Sequence, residues 1–201
     1  MKIYQHYSIY GFSNGYIVGN EDKREALIVD PAEVTTTMID QIENKRYILK
    51  AILVTHNHIH HVRGLKTLMK IYSPELYASD NKIFNFPCRK VRDEDTFDVA
   101  GFGIRAIAIP GHSQDSIAYI IGSAIFSGDA IHSGVIGRTT SSFNAVALAQ
   151  RLRARLETLP EDMLIFPGHG PPSTVGTERK FNIGLMPGYA ESLYRSYDFF
   201  V

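Results

Sequence analysis

Cysteine occurs once in the 201 residues, as Cys88, so no internal disulfide can form. A lone thiol does not build a cysteine-based metal site, and Cys88 is expected as a partly buried small side chain. Neither sign of charge is in excess: Lys plus Arg and Asp plus Glu number 21 each. That balance points away from nucleic acid and from anionic membranes as partners. No apolar run approaches the roughly 20 residues of a transmembrane helix. The start, Met1-Lys2-Ile3-Tyr4-Gln5-His6, lacks the continuous apolar core of a secretory signal. A soluble, cytoplasmic protein acting on a small molecule, without nucleic acid or membrane, is the expectation. There is no linker, low-complexity tract or short-period repeat, and the length suits one domain over residues 1–201. No pattern indicates an oligomeric state, and the tail aromatics Tyr189, Tyr194, Tyr197, Phe199 and Phe200 are expected to pack on the domain.

What the chain does have is histidine in one place. Four imidazoles, His56, His58, His60 and His61, fall between positions 56 and 61, directly after the apolar run Ala51-Ile52-Leu53-Val54. That run is short and free of charge, so it reads as a buried strand. Solvated imidazoles crowd poorly because protonated copies repel one another. A metal answers the crowding, since neutral imidazole is its commonest nitrogen ligand. The run is internal and interrupted by Asn57 and Ile59, which excludes a tag.

Residues 2–10 predict an opening strand, Ser13-Asn14-Gly15 a turn, and Tyr16-Ile17-Val18 and Ala26–Val29 two further strands of an antiparallel meander. Helical spacing runs from Val34 to about Asn44, and again from His61 through Val62, Leu65, Leu68, Met69 and Tyr72. Short strands follow at Leu76–Ala78, Phe97–Val99 and Phe102–Ile109, then a hairpin over Ser116–Phe126. Ala130–Phe143 reads as a loop, Val146–Leu159 as an amphipathic helix, and Met163–Phe166 as a strand. Strands in hairpins mixed with strand–helix alternation predict a mixed-sheet sandwich covered by helices, of the α+β class.

Polar groups recur at one structural place. His56 and His58, His112, Asp129 and His169 each follow an apolar strand, and Gly111, Gly128 and Gly168 stand immediately before the last three. Glycine there permits a sharp turn and close backbone approach. One strand-end histidine is more often a satisfied polar cap than a ligand. Three such junctions and an aspartate favour a common site at one sheet edge.

The ordered set Thr55-His56-x-His58-x-His60-His61, Gly111-His112, Gly128-Asp129 and Gly168-His169 resembles the metallo-β-lactamase superfamily. Ile136-Gly137-Arg138-Thr139 and Thr174–Arg179 are similar to its glyoxalase II-like branch. The resemblance implies an αββα four-layer sandwich with the site at one edge of two sheets. It implies that His56, His58 and His112 hold one metal, His61 and His169 a second, and Asp129 bridges them. The chemistry implied is a two-metal hydrolase, in which paired cations activate water and polarise a carbonyl. Zn2+, one ion or two, is the expected cofactor, with Fe2+ as the alternative.

The departure from the family pattern is His60, where the family carries an aspartate that ligates the second metal and helps handle a proton. His60 is therefore a replaced ligand and catalytic position, beside Asp129. It could ligate the second metal, point away and weaken that site, or leave a single metal; a weakened or altered second site is favoured, because imidazole is longer than carboxylate and brings no charge. The leading expectation is a metal-dependent hydrolase of thioester or related acyl substrates. Only about thirty residues follow His169, too few for the glutathione-binding helical domain of glyoxalase II. Two alternatives stand beside it. His56, His112 and Asp129 match the two-histidine, one-carboxylate pattern of a mononuclear non-haem iron dioxygenase acting on a persulfide, or the scaffold is a diverged, non-catalytic metal-binding protein. Asp30 reads most simply as a turn residue, Arg138 as an ion-pair partner within its loop, and His132 as a solvated loop histidine.

Overall fold

The computed structural model of the chain describes residues 1–189. The apolar runs form strands of two six-stranded sheets. Strands β1 (Lys2–Ser8), β2 (Ser13–Asn20) and β3 (Glu25–Val29) make the antiparallel meander. Helix α1 (Thr36–Asn44) then crosses to β4 (Ile48–Leu53), which lies parallel to β3. The Thr35 hydroxyl caps α1 by accepting from the Met38 N–H.

After β4 come two short helices, α2 (Ile59–Val62) and α3 (Leu65–Ile71), and the parallel strand β5 (Glu75–Ala78). The helical spacing from His61 to Tyr72 predicted one helix. It is broken at Gly64, whose N–H donates to the Pro31 carbonyl at 2.7 Å instead of continuing the helix. A two-residue hairpin, β6 (Lys82–Ile83) with β7 (Phe86–Pro87), leads to the edge strand β8 (Arg89–Lys90) beside β5. The first sheet is ordered β1-β2-β3-β4-β5-β8.

The second sheet uses β9 (Thr96–Val99), β10 (Phe102–Ala108), β11 (Ile117–Ile121) and β12 (Ala124–Gly128), all antiparallel neighbours. Residues predicted as loop contain a further small hairpin, β13 (Ile131–His132) with β14 (Val135–Ile136). Helix α4 (Ser142–Glu157) follows, then β15 (Leu164–Pro167) parallel to β12, and β16 (Ser173–Thr174). Helix α5 (Val175–Phe181) and a 3-10 turn at Ile183–Leu185 close the described chain. The order of the second sheet is β16-β15-β12-β11-β10-β9. Of the tail aromatics, Tyr194, Tyr197, Phe199 and Phe200 lie outside the described residues.

Three apolar layers hold this αββα sandwich together. Tyr16, Leu27, Leu53, Tyr119 and Phe126 interleave between the sheets. Met38, Ile42, Leu65 and Leu68 seat the first helices on one outer face, and Leu148, Leu152 and Leu156 seat α4 on the other. Each fully buried Leu, Ile or Phe contributes roughly 1.5–3 kcal/mol, so these layers dominate the fixing of the strand ends. No helix among the described residues is long and apolar enough to cross a membrane.

At one edge the sheets are also tied directly. The Asn14 amide donates to the carbonyls of Pro167 (3.0 Å) and Gly170 (2.8 Å), and the Tyr16 hydroxyl reaches Pro167 O at 2.6 Å. Ile117 N–H donates to Thr55 O, and the Tyr119 hydroxyl to Val54 O. Ser13-Asn14-Gly15, predicted as a turn, thus begins β2, and the turn falls on residues 9–12 with Gly11 and Phe12 at positive φ. The carboxyl ends of β4, β10, β12 and β15 converge on this tied edge.

Candidate metal centre

His56 leaves the end of β4 fully buried, and its ring orientation is set by a relay of hydrogen bonds. Asp30, left-handed at the end of β3 (φ 51°), accepts from the Thr55 N–H at 2.8 Å and from the Thr55 hydroxyl at 2.6 Å. A hydroxyl has one proton, and this one goes to Asp30. Thr55 Oγ1, 3.0 Å from His56 Nδ1, is therefore the acceptor there, and Nδ1 carries the proton. The same carboxylate accepts from His61 Nδ1 at 3.0 Å. Both Nε2 atoms are left buried and without a hydrogen-bond partner. His112 and His169 are fixed by backbone carbonyls instead: His112 Nδ1 lies 2.6 Å from Arg138 O, and His169 Nδ1 lies 2.8 Å from Phe12 O. Such anchoring by a carboxylate or carbonyl is how ligating imidazoles are usually oriented.

The freed nitrogens surround Asp129. Its Oδ2 lies 3.3 Å from His169 Nε2, 3.6 Å from His112 Nε2 and 3.8 Å from His56 Nε2. Its Oδ1 lies 3.3 Å from His61 Nε2 and 3.7 Å from His132 Nε2. Two groups share this centre: His56, His58 and His112 offer nitrogens mutually within 4.8 Å, and His61 and His169 offer nitrogens, with a carboxylate oxygen of Asp129, within the same distance of one another. Asp30, His56 and His61 form a third such group, but Asp30 is already occupied by three donors. His112 Nε2 and His58 Nδ1 stand 3.1 Å apart, close to the about 3.3 Å between two imidazole nitrogens on one tetrahedral zinc. Buried His56 Nε2, His61 Nε2 and Asp129 Oδ1, facing one another without a hydrogen-bond partner, fit a cation.

Electrostatics agree with that fit. Burial, then the neighbouring imidazoles, push the His56 pKa down to about 2, so it is a neutral donor. His112 is also lowered by burial, against Asp129. Burial lowers the pKa of His61 too, but hydrogen bonds and charge from Asp129 and Asp30 outweigh it and hold the ring up at about 10. Asp129 is held far below the carboxylate range: burial raises it, and the imidazoles of His132, His169 and His61 overcome that. The His169 pKa is raised, chiefly by Asp129. Positive charge is wanted here, and a divalent cation can supply it in place of imidazolium protons.

Glycine makes room for the cluster. A methyl group at Gly168 would collide with Asp129 Oδ1 and with His61 Cε1. His60 stands apart. It belongs to neither cluster of donors, and its ring centroid is 6.2 Å from that of His61 and 6.4 Å from those of His58 and His169. It packs instead on Gly11, where a Cβ would meet its ring at 2.8 Å. Its pKa is lowered, mainly by burial and then by His61.

The structure therefore brings together His56, His58, His61, His112, Asp129 and His169, and leaves His60 at the rim. It also gives work to residues whose sequence reading was structural. Asp30 orients two imidazoles; its signal was a carboxylate directly after a buried strand. Ser13 donates to the His60 carbonyl at 2.8 Å. Arg138 contributes its carbonyl rather than its exposed side chain, and His132 faces the carboxylate.

The sequence profile of the Metallo-beta-lactamase superfamily matches residues 9–169. The chain is 36% identical over 164 residues to the hydroxyacylglutathione hydrolase of Chromohalobacter salexigens, covering 79% of this chain and 63% of that protein. It is 32% identical over 163 residues to a probable polyketide biosynthesis zinc-dependent hydrolase, BaeB, of Bacillus velezensis, covering 77% and 71%. Among solved structures, ETHE1 from Myxococcus xanthus superposes with a TM-score of 0.87 at 25% identity, over 100% of this chain and 92% of that one. The chain thus spans 63–71% of the length of these two sequence relatives.

Proposed function

We infer that this chain, which belongs to the metallo-β-lactamase superfamily, is a metal-dependent hydrolase of thioester or related acyl substrates. The observation that carries the reading is the set of buried, unpartnered donors, His56 Nε2, His61 Nε2 and Asp129 Oδ1, converging from the carboxyl ends of β4 and β12. The names of the two sequence relatives, one a hydroxyacylglutathione hydrolase and one a zinc-dependent hydrolase, support the reaction class.

In this reading His56, His58 and His112 would hold one cation and His61 and His169 the other, with Asp129 shared by the two. When bound, a pair of such cations lowers the pKa of a shared water and polarises the scissile carbonyl. Asp30 and Thr55 keep the two buried imidazoles in the tautomers that expose Nε2. The half-buried rim residue His60 supplies no carboxylate, so the second cation would rest on one carboxylate and would be the weaker of the two. Tyr10, Phe12 and Ile59 expose apolar surface beside the turn that anchors His169, and this suits an acyl group.

The test is a panel of acyl thioesters varied in acyl length and thiol, assayed on zinc-loaded protein with Asp129→Asn as the control. Hydrolysis of thioesters, lost in the variant, is expected. No turnover on the panel, or iron-dependent oxygen uptake with persulfides, would overturn the hydrolase reading.

A further inference from the structure

His132 lies on the β13–β14 hairpin, three residues beyond Asp129, and the two ligand sets leave it outside both. Its Nε2 is buried and has no hydrogen-bond partner. It faces Asp129 Oδ1 at 3.7 Å, and that oxygen is buried and unpartnered as well. The other nitrogen facing Oδ1 is His61 Nε2. His61 cannot serve it once a cation is present, because its Nδ1 proton is given to Asp30 and its Nε2 is then a lone pair. His132 is the imidazole left to satisfy Oδ1, and closing 3.7 Å to a hydrogen bond of about 3.0 Å needs only a sub-ångström shift.

The hairpin is held for this by the end of the described chain. The buried Glu178 carboxylate accepts from the Gly134 N–H at 3.1 Å and from the Asn182 amide at 2.6 Å. The Asn182 amide also reaches the His132 carbonyl at 3.4 Å, and the Ile183 N–H donates to Gly134 O at 2.9 Å. On the other side the Ser127 hydroxyl donates to Ile131 O at 3.1 Å. The first strand of the hairpin and its two-residue connection are thus tied on both sides, which fixes the backbone that carries His132.

We propose that His132, and not His60, is the positioning histidine on which the second cation depends: its Nε2–H donates to Asp129 Oδ1 and so keeps Oδ2 turned toward His56, His112 and His169. A carboxylate with one oxygen shared and the other unsatisfied would rotate or pair elsewhere. His60, packed on Gly11 with its ring 6.4 Å from that of His169, has no such reach.

The proposal rests on the metal reading of the site, and its test separates the two. Zinc affinity is measured by chelator competition for the wild type, His132→Ala, His132→Gln and His60→Ala. His132→Ala is expected to weaken the second zinc roughly 10–100-fold, as loss of an oriented outer partner does. His132→Gln keeps an N–H donor of similar reach and is expected to recover most of that loss, while His60→Ala keeps the wild-type affinity. Long-range proton–nitrogen NMR of the zinc-loaded wild type should show His132 protonated on Nε2, a readout that needs no variant to fold. His132 protonated on Nδ1 alone, unchanged zinc binding in His132→Ala, or the loss appearing in His60→Ala would overturn this inference. A wild type that binds no zinc would overturn the site reading itself.

Discussion

Thr55 has one hydroxyl proton, and its destination decides which nitrogen of His56 faces the site. Because Asp30 takes that proton and also the His61 Nδ1 proton, a single carboxylate outside the metal positions sets two tautomers. Asp30→Ala leaves three buried donors without an acceptor, each at roughly 1–3 kcal/mol. We expect at least ~2 kcal/mol lost in urea unfolding of the metal-free protein, and zinc affinity lowered about 10–100-fold. A variant with near-wild-type zinc affinity would remove Asp30 from the account. Gly168→Ala places a methyl on Asp129 Oδ1 and His61 Cε1. It is expected to keep the far-ultraviolet circular dichroism of the wild type while losing tight metal binding. These residues were unevenly legible. The histidines announced themselves by crowding, whereas Asp30 looked like a turn residue because its partners are 25 and 31 positions away.

Elements show the same division. The apolar runs at 26–29, 51–54 and 163–166 were readable because burial demands them, and Asp30, the run from His56 to His61, and His169 stand just past their ends. Ser13-Asn14-Gly15 has turn composition but forms strand, since the Asn14 amide finds Pro167 O and Gly170 O more than 150 positions along the chain. The hairpin at Ile131–Ile136 has two-residue strands, too short for any periodicity to register. Helix α4 was readable over Val146–Leu159 but begins earlier, where Ser141 caps it through the Asn144 N–H at 3.2 Å. Ser141→Ala should cost about 1 kcal/mol in thermal or urea unfolding and leave metal affinity unchanged, because the cap touches no ligand. Glu178→Ala is the opposite case. It frees the Gly134 N–H and the Asn182 amide, so about 1–3 kcal/mol of stability should go, and the second metal should weaken with it. Stability loss without metal loss would separate the hairpin from the site.

At the scale of the molecule, the two sheets are pinned together at the edge where the histidine and aspartate cluster gathers, so a cation bound there would be linked to folding stability. Metal held at a free concentration about 1,000 times Kd adds roughly 4 kcal/mol, and for a chain of this length each kcal/mol moves Tm by about 2–4 °C. Chelation is therefore expected to lower Tm by about 8–16 °C, reversibly on adding zinc back; an unchanged Tm would mean the cluster holds no metal. The fold class was legible from the ordered motifs because the family pattern spans most of the chain, but the consequence of His60 was not. Only the three-dimensional arrangement places that ring on Gly11 and keeps His61, Asp129 and His169 together. The most direct measurement is metal content by elemental analysis across a zinc titration of the purified protein. The account predicts two zinc ions per chain at saturation, the second leaving first on dialysis, with both lost in Asp129→Ala. A wild type that takes up no zinc, or that saturates at one ion untouched by removal of Asp129, would contradict it.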